Sequence, residues 1–220
     1  MISTQTAVPE GRVARRQAKV RQRILEAAED LMAERGVEGV TIDEIADAAD
    51  IARRSFYHYF ASKHDVLVPI ARGRTKALNR RIDRLVATID DPAEVMATAM
   101  RHALRGLTRD PLCRWFVLSS GLPHQRLHEG LGESGIRDAR RGLESGRFTF
   151  ANPAVVHLLL AGAIVAVLGA RAEKSLADAD LDDAVEHLLR MLGIDPAEAH
   201  EIAHRTLSPL PPERRADRSL

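Results

Sequence analysis

Aromatic side chains are scarce in this chain: one tryptophan, two tyrosines and five phenylalanines among 220 residues. A single cysteine, Cys113, excludes an intramolecular disulfide framework and any CxxC metal site, which fits a reducing cytoplasm. Net charge is only +1, so overall charge says nothing about a polyanionic partner; only local clustering can. The first residues, "MISTQTAVPEGRVARRQAKVRQR", contain no apolar run and do not read as a secretory signal. Between His157 and Arg171 the longest apolar run covers 158–170, short of the roughly 20 residues that cross a bilayer. It reads as a buried helix rich in small residues, and no membrane partner is expected. No glycine-flanked nucleophile, phosphate loop or oxyanion motif accompanies Cys113, Ser119 or Ser120, so the chain does not read as an enzyme and no cofactor is expected. His102, His124, His128 and His157 lack an i, i+4 pairing with a carboxylate, so no metal site is expected from them.

What is present is helical patterning and helix punctuation. Apolar residues at Val20, Ile24, Ala27, Ala28, Leu31 and Met32 give a helix over 17–35, ended by Gly36. Thr41 with Glu44 three residues on is a capping box that starts a short helix. Asp50 and Ile51 mark a break, and Ser62 caps the next start. Asp91-Pro92, Asp110-Pro111, Asn152-Pro153 and Asp195-Pro196 each pair a capping residue with proline at the first helical position. Helices follow over 62–89, 92–108, 111–120, 124–146, 153–174, 180–192 and 196–207. Strand alternation is missing throughout, and the fold class is all-α.

Four of the eight aromatic rings fall within five positions, in "ARRSFYHYFASKHDVL". Two short helices behind a longer one make a helix-turn-helix, with the second helix over 52–59. Arg53, Arg54 and Ser55 occupy its first turn, where side chains reach base edges, and arginine can grip guanine with two hydrogen bonds. Phe56 and Phe60, at i and i+4, share a face and close a core against Ile24, Leu31, Ile42 and Ile45. Tyr57, His58 and Tyr59 point elsewhere, with groups suited to phosphate. Lys63 sits by the Ser62 cap, where backbone N–H groups favour an anion.

Residues 17–78 closely resemble the DNA-binding domain of the tetracycline repressor (TetR) family. Thr41, Ile45, Ala46, Phe56, Tyr57, Phe60, Ser62, Lys63 and Leu67 fall in that family's register. The turn departs from the family pattern. Asp50 tolerates the left-handed conformation that glycine usually supplies. Ala52 cannot cap the second helix with a side-chain oxygen, which leaves Asp50 as the other candidate. Expected DNA contacts are Thr41, Arg53, Arg54, Ser55, Tyr57, His58, Tyr59 and Lys63. Arg12, Arg15, Arg16, Lys19, Arg21 and Arg23 form a basic segment with two readings, a minor-groove arm or a solvated tail.

Residues 1–16 read as a mobile basic arm and 209–220 as a polar tail; the resemblance implies a helix-turn-helix domain over 17–78 and a ligand-binding and dimerising helical domain over 79–208. It implies a dimer on double-stranded DNA, released by a small-molecule effector, with the helices over 153–174 and 180–192 pairing with their copies. Their packing residues are Ala161, Gly162, Ala166 and Gly169, and Val185, Leu188, Leu189 and Leu192. Pocket candidates, suited to an apolar ligand, are Met96, Met100, Leu104, Cys113, Trp115, Phe116 and His157. Pro69, two turns into its helix, is expected to kink it by clashing with the Asp65 carbonyl. The competing reading is a helical dimer that acts through protein contacts without DNA.

Overall fold

A computed structural model of the chain describes residues 10–119 and 133–214. Among those residues it contains only helices, in two compact units, 1–70 and 71–220. The first unit ends eight residues before the expected boundary at 78, because the helix that crosses it already packs within the second unit from Ala71 onward.

In the first unit α1 spans Glu10–Arg35. It starts seven residues earlier than the periodicity indicated, so residues 10–16 of the expected arm are helical. That segment contains good helix formers, and Arg15 Nε donates to the Gly11 carbonyl at 2.9 Å. Residues 1–9 lie outside the described residues. Gly36 ends α1 at φ +75°, with its N–H donating to the Met32 carbonyl at 2.9 Å. Next, α2 (Ile42–Ala48) carries the capping box: the Glu44 N–H donates to Thr41 Oγ1 at 3.3 Å, and the Thr41 N–H to Glu44 Oε2 at 2.8 Å. These bonds, with Arg35, pull the Glu44 carboxyl down to about 2. A depressed carboxylate stabilises above its ordinary value of 4.5, and here that support is lost only as pH falls toward about 2.

The turn survives as expected, with Asp50 at φ 51°. Its carboxylate lies 3.6 Å from Arg23, and α3 (Arg53–Phe56) has Ala52 as an N-cap without any side-chain bond. The alternative cap on Asp50 is therefore not formed. This helix is shorter than the expected 52–59, and residues 57–59 continue it as turns. Phe56 and Phe60 close the core with Ile24, Leu25, Met32 and Ile45, while Leu31 and Ile42 stay half-buried.

Next comes α4 (Lys63–Val86), capped by Ser62 Oγ on the Asp65 N–H at 3.2 Å, and it continues through Pro69. The second unit then adds α5 (Pro92–Arg109), α6 (Pro111–Ser119), α7 (Glu133–Glu144), α8 (Pro153–Ala172), α9 (Asp180–Met191) and α10 (Pro196–His204). All four Asx-Pro starts are confirmed; for example, Asp110 Oδ1 accepts from Leu112 and Cys113, and Asn152 Oδ1 from Ala154 and Val155. Residues 120–132, with Ser120, His124, His128 and the expected start of a helix at 124, lie outside the described residues.

The core of this unit joins α5, α7, α8, α9 and α10 through Met100, Leu104, Phe148, Leu160, Val185, Leu189 and Ile202. Beyond α10 the expected tail is partly fixed. Leu210 packs on Ile82, Val86, Val95 and Ala103, and Arg81 Nε donates to the Pro211 carbonyl at 2.8 Å.

Candidate nucleic-acid interface and ligand cavity

A four-residue helix offers few side chains, and α3 divides them cleanly. Phe56 is fully buried and meets Tyr57 edge-on, with centroids 5.7 Å apart. Arg53, Arg54, Tyr57 and His58 face solvent, Ser55 and Tyr59 are half-buried. Among the described residues the side chains of Arg54 and His58 have no polar partner. Arg53 Nη1 donates to Asp43 Oδ2 at 2.8 Å, across two side chains more than half exposed. Such an exposed pair is worth little, so a guanine can displace the carboxylate at small cost.

Across a surface groove from Ser55, His58 and Tyr59 lie Arg16, Arg21 and Arg23 of α1. Folding thus places part of the basic segment beside the second short helix, which linear sequence could not show. Arg21 lies over the Phe60 ring, its guanidinium carbon 5.0 Å from the centroid.

Two expected DNA contacts, Thr41 and Lys63, also make bonds within the protein. Thr41 spends its hydroxyl on the capping box. Lys63 Nζ donates to the Val37 carbonyl at 3.1 Å and to Glu38 at 3.0 Å, with its side chain only 21% exposed. An ammonium held by a carbonyl and a carboxylate ties the turn after α1 to the start of α4.

In the second unit a cavity of about 80 Å³ opens among α4, α5, α7 and α8. Of the seven pocket candidates, Met96, Met100 and His157 line it. Leu104, Cys113 and Phe116 are buried elsewhere in the core, and Trp115 is half-buried and likewise not in the lining. Cys113 faces Thr75, 3.7 Å away, and burial pushes its thiol up to about 12.

The polar side of the cavity was not foreseen. Asn79 Nδ2 donates to Ser134 Oγ at 2.9 Å, Ser134 Oγ donates to Asp83 Oδ2 at 3.0 Å, and Arg137 bridges Asp83 and Asp138. Burial pushes the Asp138 carboxyl up, against the pull of Arg137. The only sequence signal was an Asn79/Asp83 spacing of one turn on α4, which many solvated helix faces share.

A second correction concerns α8. Expected to be buried, it leaves Val155, Leu158 and Leu159 more than half exposed, and a Cβ added at Gly162 or Gly169 meets open space. By length and composition α8 could also cross a membrane, a test that core and interface helices pass as well. Val185, Leu188 and Leu189 of α9, with Leu192 at its C-cap, pack into their own chain's core.

Similarity to known proteins follows the same division. The description "Bacterial regulatory proteins, tetR family" matches residues 24–69, and "Tetracyclin repressor-like, C-terminal domain" matches residues 91–205. The chain belongs to the TetR family.

The structure of RolR in complex with the ligand resorcinol is similar to this chain, with a TM-score of 0.80 and 34% identity over 89% of this chain and 98% of that one. Thermus thermophilus FadR in complex with lauroyl-CoA gives a TM-score of 0.64 and 26% identity over 78% and 92%. The HTH-type transcriptional regulator Rv1255c of Mycobacterium tuberculosis (strain ATCC 25618 / H37Rv) is 34% identical over 105 residues, 47% of this chain and 52% of the relative. The match thus spans about half the length of such curated relatives.

Proposed function

We propose that this TetR-family chain is a homodimeric, cytoplasmic, sequence-specific transcriptional regulator, a repressor released from its operator by a small hydroxylated aromatic compound. The observation that carries DNA binding is the solvent-facing set Arg53, Arg54, Tyr57 and His58 on a helix whose other face is core. Arg16, Arg21 and Arg23 across the groove supply further charge for phosphates. The DNA partner implies the cytoplasm. The uncovered α8 face supports pairing with a second copy.

The cavity supports the class of effector. At about 80 Å³ the cavity is closer in size to a single small ring than to a long acyl chain. One wall is apolar, from Met96, Met100, Leu160 and Ile164; the other carries Asn79, Asp83, Ser134 and Asp138. An aliphatic ligand would leave those carboxylates desolvated without a new partner. A ring with hydroxyl groups on one edge fits both walls, as would resorcinol, the ligand of the RolR structure. The expectation of a purely apolar ligand is replaced by this reading.

Release runs through α4, which carries Asn79, Ile82 and Asp83 at the cavity and Pro69 nearer its start. A ligand that binds one α4 geometry more tightly shifts the spacing of the two recognition helices.

The test is fluorescence anisotropy against DNA from upstream of the chain's own gene, with random DNA as control, at several salt concentrations. Arg53→Ala is expected to lose about 1–3 kcal/mol of preference for the operator while keeping salt-dependent binding to both DNAs. Wild-type binding that never distinguishes the two DNAs would sink the reading.

Resorcinol is expected to raise the operator Kd of the wild type at least about tenfold, which corresponds to a coupling of about 1.4 kcal/mol. Asp83→Asn should bind the operator normally and ignore resorcinol. Release by lauroyl-CoA and not by resorcinol would overturn the assignment of effector.

A further inference from the structure

His200 and His204 stand one turn apart on α10, with ring centroids 4.3 Å apart. Their spacing is i, i+4, and the carboxylates beside them come from a different helix. From α9, Glu186 Oε2 lies 2.9 Å from His200 Nδ1 and 3.4 Å from His204 Nε2. Asp183 Oδ1 lies 3.3 Å from the same His204 nitrogen. The donor atoms of Glu186, His200 and His204 all fall within 4.8 Å of one another.

We propose that His200, His204 and Glu186 form a binding site for a divalent transition-metal ion of the Zn²⁺ class, with the Asp183 carboxylate beside His204. Zinc bonds to imidazole nitrogen and carboxylate oxygen run about 2.0–2.2 Å, which makes the edge of a tetrahedron of ligands about 3.4 Å. The Glu186 spacings of 2.9 Å to His200 and 3.4 Å to His204 are already close to that edge. Two imidazoles select a borderline ion over Mg²⁺ or Ca²⁺, which want oxygen ligands only.

The surroundings suit a site rather than a chance surface pair. Glu186 is only 15% exposed, beside the core residues Val185 and Leu189, so its carboxylate is held in place. Its other oxygen, Oε1, lies 3.8 Å from Arg190 Nη1, which leaves Oε2 for the metal. The His200 side chain is 65% exposed, so an ion can enter from solvent. Bound metal cross-links α9 to α10, the last two helices of the unit.

The test uses full-length protein without a polyhistidine tag, titrated with Zn²⁺ by calorimetry and with Co²⁺ by visible absorption. One ion per chain is expected, with the intense absorption of tetrahedral Co²⁺. His204→Ala should weaken binding at least about 100-fold because it removes a ligand, and Asp183→Asn about tenfold because it removes a carboxylate beside the bound ion. His187→Ala, a neighbour outside the set, should bind as the wild type does. Melting curves in EDTA should coincide for all variants, because His204 and Asp183 are partly or mostly exposed. Undiminished Zn²⁺ binding by a His200→Ala/His204→Ala protein, or no binding by the wild type at millimolar metal, overturns the proposal.

Discussion

Replacing Leu158 and Leu159 together by aspartate is expected to leave a folded monomer that no longer holds its operator. Both side chains are more than half exposed within one chain, and Val155 beside them is as well. Gly162 and Gly169 have open space where a Cβ would go, so among the described residues their smallness serves no packing. A small-residue helix with an apolar face suits close approach by a second helix. Two buried carboxylates in such a seam cost several kcal/mol each without a partner. On DNA, a dimer gains because its second half-site binds as an intramolecular event, which multiplies affinity by about 10²–10⁴. The variant should therefore bind at least about 100-fold more weakly than the wild type. Light scattering coupled to size exclusion gives the mass, and anisotropy gives the affinity. A variant that stays dimeric would move the interface away from α8.

Phe56→Ala is expected to unfold the DNA-binding unit while sparing the other. Phe56 is fully buried, with Phe60 6.0 Å and Tyr57 5.7 Å away between ring centroids. Truncating a buried phenylalanine costs about 3–5 kcal/mol, including the cavity left behind. Whole small domains have only about 5–15 kcal/mol, so a unit of this size keeps little in reserve. Calorimetry should show the lower of two transitions shifted down or gone. Operator binding should vanish, while dimerisation and resorcinol binding persist in the second unit. Phe56→Leu, which fills most of the volume, should recover most of the loss. Equal melting of Phe56→Ala and wild type would remove Phe56 from the core.

Of the expected DNA contacts, Arg53 and Arg54 on α3 and Tyr57 and His58 in the turn after it reach solvent, whereas Lys63 and Thr41 are engaged in local structure. The difference is one of reach. A position along a short helix gives the direction of a side chain, but the carbonyl of Val37 that takes up Lys63 lies twenty-six residues away in sequence. The cavity was legible in the same partial way. Methionines signalled an adaptable apolar wall at Met96 and Met100, but Cys113 and Phe116 carry the same apolar signal from inside a closed core.

What the sequence by itself determined is everything that depends on neighbours within about four residues. Helix starts follow from Thr41 with Glu44 and from the four Asx-Pro pairs, the left-handed turn from Asp50, and the family register from the spaced residues around Phe56. Capping and helical facing act through bonds of i to i+4, so their causes lie side by side in the chain. Only the tertiary structure decided which distant groups meet: Asn79, Asp83, Ser134 and Asp138 around one cavity, Glu186 against His200 and His204, and an apolar α8 left open within its own chain. Each of these depends on how whole helices pack, and packing is set by the sum of many weak apolar contacts rather than by any one local spacing.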